Sequence, residues 1–269
     1  MLSKIAKNPS LIFSLNEKKL VSFLEEADHC YYNTKKAAVA DNVYDLAKER
    51  LQLEFPKNKF HKTVGSPIAK GDKIKLPFWL GSMDKIKPEL NNLNKWKNKY
   101  SGPYAIMDKL DGVSGLFIYT KSSAHLFTRG DGEYGQDISH LIKHLNIDTK
   151  QFDKWLKKNN QHKICIRGEL IINKVNFKKF SLKYANARSA TAGIVNAKKP
   201  NKKLLNYLEF VAYEAIFPRT KIVSQLEFLS DLKLNTVSWD VVDDIDNKYL
   251  SDVLTQRRSY SYYDIDGII

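Results

Sequence analysis

The sequence predicts an α+β fold: antiparallel sheets with flanking helices, preceded by a small helical lobe. Residues 16 to 32 carry a helical period, with Leu20, Phe23, Leu24 and Ala27 on one face and Glu25, Glu26 and Asp28 on the other. Apolar, β-rich runs follow much later, at 104–107, 113–120, 164–172 and 208–215. Shorter helical stretches lie around them, at 88–100, 138–145, 152–158 and 224–232.

Composition narrows the function classes. At 269 residues and 43% hydrophobic, the chain can bury one large core or two modest ones. No apolar run approaches the roughly 18 residues of a membrane span, and the opening Met1-Leu2-Ser3-Lys4 leads into a mixed stretch rather than a secretory signal. Two cysteines, Cys30 and Cys165, are too few for a disulfide framework or a zinc site. These features predict a cytoplasmic protein with no membrane partner. A net charge of +14 suggests a polyanionic partner or a lysine-rich soluble surface. The lysines come in scattered pairs, such as Lys157-Lys158 and Lys202-Lys203, which favours a folded basic face over a disordered arm.

The first helix ends in His29-Cys30-Tyr31-Tyr32. A second is predicted from Asp41, a good N-cap, through Val43, Tyr44, Leu46, Ala47 and Leu51 to about Phe55. Tyr31, Tyr32, Asp41, Tyr44 and Asp45 gather near the connection. They can simply pack and cap. They can also form a pocket for a flat cationic ring with a ribose beside it, since aromatic faces attract cations and carboxylates accept hydroxyl bonds. Residues 56 to 75, with Pro56, Gly65, Pro67 and Gly71, read as loop and lobe boundary. The expected division is residues 1–60 and 61–269.

Past that boundary come Leu80-Gly81-Ser82-Met83 and a helical stretch, then the central feature. Tyr104 to Met107 reads as a buried strand, Val113 to Thr120 as another, and Asp111-Gly112 between them as a hairpin turn. Lys109 then sits at the end of a strand on the floor of a sheet. It is either a snorkelling edge lysine or a nucleophile, whose amine must lose its proton through partial burial or nearby cations. Arg129-Gly130-Asp131-Gly132 ends a strand in a turn. Glu169, inside the apolar strand 164–172, must be paired or must bind a metal or a ligand. Tyr184 to Gly193 surrounds Arg188 with small residues that permit close backbone approach, and arginine suits phosphate; tight helix packing is the other reading. The chain closes on Tyr263 to Ile269, which reads as a strand begun.

Taken in order, these segments resemble the adenylation module of NAD-dependent DNA ligases, from about residue 16 to 269. Lys109-Leu110-Asp111-Gly112 is similar to the family's lysine motif, Thr128 to Gly132 to its second signature, Arg167-Gly168-Glu169 to its third and Tyr184 to Arg188 to its Phe-Ala-Asn-Pro-Arg segment. Ser82 and Met83 fall where a Ser-Leu pair borders the adenine, and Arg258 where an arginine precedes the last motif, which Asp264 to Ile269 resembles. The front lobe matches the segment that binds the nicotinamide mononucleotide (NMN) half of NAD, which ATP-dependent ligases lack. Tyr32 stands where many relatives carry histidine, Met107 where they carry glutamate, and Asn196 where they carry a second arginine, with Lys198 or Lys199 as substitutes.

The resemblance implies a nucleotidyltransferase core in which Lys109 accepts AMP from NAD and passes it to a 5′-phosphate at a nick in double-stranded DNA. It implies that Tyr31, Tyr32, Asp41, Tyr44, Asp45, Ser82, Met83, Asp111, Arg129, Glu169, Arg188 and Arg258 bind the nucleotide, with magnesium near Glu169. It also leads us to expect an incomplete C-terminal end: the family's final-strand lysines, DNA-binding barrel, zinc module and helix-hairpin-helix region lie beyond Ile269. Weak self-adenylation and a second polypeptide in a split ligase follow as expectations. An ATP-dependent polynucleotide ligase or capping-type enzyme, and a non-catalytic DNA-binding subunit, are the alternatives.

Overall fold

The computed structural model describes residues 1–33, 38–62, 73–86, 92–197 and 200–269, with the side chains of all these except Tyr32, Asn33, Asp41 and Lys62. At the front stand helices α1 (Leu2–Lys7), α2 (Glu17–Asn33) and α3 (Asp41–Glu54). The apolar stripe of α2 is buried as its period predicts. Leu20, Phe23, Leu24 and Ala27 pack on Val43, Ala47 and Leu51 of α3, with Ile5, Ile12 and Phe60 closing the cluster. The N-cap of α3 is Ala40 rather than Asp41, because Ala40 carries the extended backbone (φ −71°, ψ 152°) and Asp41 is already helical.

The elements that follow are β1 (Lys73–Lys75), α4 (Asn92–Lys99), β2 (Tyr104–Leu110), β3 (Val113–Thr120), β4 (Ala124–Thr128) and β5 (Tyr134–Gln136). Then come α5 (Thr149–Lys158), β6 (Lys163–Ile171), α6 (Lys174–Phe177), α7 (Ala187–Val195), α8 (Lys202–Leu205) and β7 (Glu209–Phe217). The chain closes with α9 (Ile222–Asp231), β8 (Asn235–Thr236), β9 (Trp239–Val242), α10 (Asn247–Tyr260) and β10 (Ile265–Ile268). The helix predicted at 138–145 is a short 3-10 turn, Ser139–His144. No helix among the described residues is long and apolar enough to cross a membrane.

Among the described residues the strands form three sheets, with orders β4-β3-β6-β7-β8, β10-β2-β9 and β1-β5. Every pairing is antiparallel except β7 with β8. This corrects the expected hairpin at Asp111-Gly112. Strands β2 and β3 do not pair; the dipeptide carries the chain from one sheet to the next. Gly112 is required there by contact: a Cβ would lie 2.3 Å from the Leu170 carbonyl oxygen and 2.8 Å from Glu169 Cγ. The main core lies between the large sheet and its helices, where Phe117, Ile166 and Leu170 meet Phe152, Ala190, Ile194 and Leu229. A second cluster of Met107, Leu110, Ile171, Val211, Leu226 and Val237 joins the two larger sheets. The place where these sheets abut is where Lys109 and Glu169 come together.

Candidate active site

Lys109 is the penultimate residue of β2, and its backbone register against Gly267 places it beside the last strand. Its ammonium bonds the carboxylate of Asp266. The side chain is 43% exposed, not the nearly dry amine that a nucleophile suggests. Burial tends to raise the Asp266 carboxyl, but the hydrogen bond and charge of Lys109 outweigh it and hold Asp266 below its ordinary range. Arg258 is exposed. Its guanidinium donates to the backbone carbonyls of Ile265, at 3.1 Å, and Asp266, at 2.8 Å, so it holds the strand that carries Asp266.

Two residues on, Asp111 pairs with Arg188 at 3.2 Å, and Arg188 also donates to the Gly112 carbonyl. Burial pushes the Asp111 carboxyl up, opposed by Arg188. Arg188 is placed by the first turn of α7, which a capping box of Asn186 and Ser189 starts. Glu169 sits near the C-terminal end of β6, 6% exposed, and accepts from Ser114 Oγ at 2.9 Å. Burial pushes its carboxyl up to about 6, against the opposing pull of Arg188, Ser114, Arg129 and Lys109. Arg129 follows β4, with its backbone N–H on the Ser114 carbonyl and Gly130 and Gly132 in left-handed backbone behind it (φ +55° and +95°). Ser82 and Met83 lie exposed on a loop that Arg167 fixes through the Gly81 carbonyl, at 2.7 Å.

The front lobe reaches this group. The Arg188 guanidinium stands 4.4 Å over the Tyr31 ring. Asp45 takes the ammonium of Lys85 at 3.1 Å. Tyr44 hydrogen-bonds Asp28, whose carboxyl burial pushes up to about 6, while Lys48 and Arg129 act from nearby to lower it. The structure thus brings Lys109, Asp111, Arg129, Glu169 and Arg188 together, with Tyr31, Tyr44 and Asp45 on the facing lobe. The side chains of Tyr32 and Asp41, and Lys198 and Lys199 entirely, lie outside the described residues. Asn196, at the position where the family carries a second arginine, is the C-cap of α7.

Several members of the group escaped the sequence reading. Helical period alone sets Asp28 on the face opposite the apolar stripe, and only the docking of α3 gives it Tyr44 as a partner. Tyr213, on β7, donates to Ser114 Oγ at 3.4 Å, and burial and Glu169 push its hydroxyl up to about 12. Its one signal was a phenol inside an apolar run. Asp266 was visible as part of a motif but had no partner until β10 paired with β2.

The group can hold a polyphosphate: Lys109, Arg129 and Arg188 supply cationic charge, while Asp111, Glu169 and Asp266 orient it. No cluster of three or more His, Cys, Asp or Glu residues suited to a metal ion occurs among the described residues. Glu169 is a carboxylate that could help hold a magnesium ion, an ion that commonly takes its other ligands from phosphate and water.

A model of the NAD-dependent DNA ligase adenylation domain family matches residues 82–269. The chain is 42% identical to a DNA ligase of Acanthamoeba polyphaga mimivirus, over 100% of this chain and 42% of that one. It is 36% identical to a putative DNA ligase 205R of Invertebrate iridescent virus 6, over 98% of this chain and 41% of the relative. It is 25% identical to a DNA ligase of Brachyspira hyodysenteriae, over 94% and 41%. The chain thus spans about two fifths of the length of these relatives. A solved structure titled Pmar-Lig_PreS3 is similar at a TM-score of 0.44 and 18% identity, covering 86% of this chain and 46% of that one. On the match across most of its length and the identity to viral ligases, the chain belongs to the NAD-dependent DNA ligase adenylation domain family.

Proposed function

We propose that this chain performs the adenylation chemistry of an NAD-dependent DNA ligase, with Lys109 as the nucleophile. The observation that carries the reading is the convergence on Lys109 of Asp266, Glu169, Asp111, Arg188 and Arg129, faced by Tyr31 of the front lobe. The aromatic and acidic groups of the lobe, Tyr31, Tyr32, Asp41, Tyr44 and Asp45, bind the NMN half. Ser82 and Met83 border the adenine. The division into residues 1–60 and 61–269 belongs to this reading: the first segment grips the leaving half and the second carries the chemistry.

The proposed step is an in-line substitution. Lys109 gives up one proton to water and attacks the α-phosphorus with its nitrogen lone pair. The P–N bond forms as the bond from phosphorus to the NMN phosphate oxygen breaks, and that oxygen keeps the electron pair. A second proton passes from Nζ to water, giving a phosphoramidate. Arg129 and Arg188 stabilise charge developing on the phosphates, and Asp266 keeps the amine of Lys109 oriented until attack. Glu169 helps hold magnesium, which supplies charge neutralisation at the phosphates. AMP then passes to a 5′-phosphate at a DNA nick, and a 3′-hydroxyl displaces it. The net charge of +14 favours such a polyanionic partner.

The test is intact-mass analysis after exposure to NAD and magnesium. The expected result is a gain of one adenylyl group, in a minor fraction of the chain, from NAD but not from ATP, absent in Lys109→Ala. Label retained in Lys109→Ala, or labelling by ATP alone, overturns the assignment.

A further inference from the structure

A cation outside every motif spans the seam between lobe and core. Lys85, on the core segment past Met83, bonds both carboxylate oxygens of Asp45 on α3, at 3.1 and 3.3 Å. Its side chain is 67% exposed, so a ligand can reach it. On the core side it lies within electrostatic reach of Asp266, the partner of Lys109. Two other pairs set an electron-rich group of the lobe against a cation of the core: Tyr31 meets Arg188, and Asp28 lies within electrostatic reach of Arg129. Arg188, however, is also tied to Asp111 and to the Gly112 carbonyl. Lys85 is bound across the seam on a mobile four-carbon stem, which makes it the cation best able to change partners.

We propose that Lys85 is a switching phosphate-binding residue: Asp45 holds it in the arrangement seen here, and it turns to the diphosphate of NAD when Asp45 takes the NMN half. The proposal rests on the function inferred above. It makes occupancy of the lobe and charge neutralisation at the phosphates a single event. A nucleotide without the second half leaves Asp45 on Lys85 and gains nothing from it.

The switch leaves a signature that a merely structural ion pair does not. In the wild type, NAD must break the Asp45–Lys85 pair before it gains its own contacts with each residue. Either single variant loses one contact but is spared that cost, whereas the double variant loses both contacts and is spared the cost only once. The double variant must therefore lose more affinity than the product of the single losses, by about two- to fivefold, the worth of an exposed ion pair.

The measurement is calorimetric titration of wild type, Lys85→Ala, Asp45→Asn and the double variant with NAD and, separately, with AMP, divalent cations chelated and folding checked by circular dichroism. Each single variant is expected to bind NAD several-fold more weakly, with AMP affinity changed less than twofold and the double loss exceeding the product. NAD binding by wild type with single losses that multiply, or saturate, overturns the switch and leaves the proposed function standing. Failure of the wild-type chain to bind NAD overturns both.

Discussion

Strand β2 presents Lys109, and its neighbour Asp108 is tied to α10 by a buried ion pair. Arg257, 3% exposed, donates to Asp108, 4% exposed, at 2.9 Å. The same guanidinium reaches the Ser238 carbonyl at 3.3 Å and Asp240 at 2.5 Å. Arg257→Met keeps much of the volume and removes the charge. The Asp240 contact contributes little to the loss, since that carboxylate is 69% exposed and water replaces its partner. The loss comes from Asp108, left as a buried carboxylate with no cation, at about 3–5 kcal/mol. For a chain of this length that corresponds to a fall in Tm of roughly 6–20 °C. The assay is urea unfolding followed by fluorescence, with calorimetry for Tm. Adding Asp108→Asn to Arg257→Met should recover at least half of the loss, because the stranded charge is gone. A loss under about 1 kcal/mol for Arg257→Met, or no recovery in the double variant, would refute the reasoning. Because β2 pairs with β9 from Tyr104 to Met107 and with β10 from Asp108 to Leu110, loosening Asp108 should also slow Lys109 adenylation.

Two further outcomes follow from the site. The Glu169 carboxyl stands at about 6 in the fold against an ordinary 4.5, so its stabilising contribution is complete below about 4.5 and is lost as the pH rises through about 6. The loss is on the order of 2 kcal/mol, and unfolding free energies from urea titrations between about pH 3.5 and 7.5 should fall by that much less in Glu169→Gln than in the wild type. Gly112→Ala places a methyl 2.3 Å from the Leu170 carbonyl oxygen, so it should destabilise by at least about 2 kcal/mol in urea and abolish lysyl-AMP formation by displacing Glu169.

Much of this was legible locally. The apolar period of α2 buries the residues it predicts because a helix face is set by spacing alone. The strands at 113–120, 164–172 and 208–215 fall in place because continuous apolar runs have few other ways to be buried. The motif residues Lys109, Asp111, Arg129, Glu169 and Arg188 meet at one site. The strand at 239–242 and the helix at 247–260 were not foreseen, since Asp240, Asp243 and Asp244 break the apolar pattern there. The Asp111-Gly112 hairpin failed for a related reason. Asp-Gly between two β-rich runs reports that the chain bends, but not which strand it pairs with next.

The amino-acid sequence by itself determined most of the elements, the family and the chemical types gathered at the site, because propensity, period and motif spacing act within a few residues of one another. Tertiary structure alone decided the partners. It set Asp266 on Lys109, tied Arg258 to the backbone carbonyls of Ile265 and Asp266, buried Arg257 where its neighbour is exposed, and placed Asp45 on Lys85 across the seam. Such pairings join residues from separate elements, so they depend on which strands adjoin and which helices dock, and no local pattern encodes that distance.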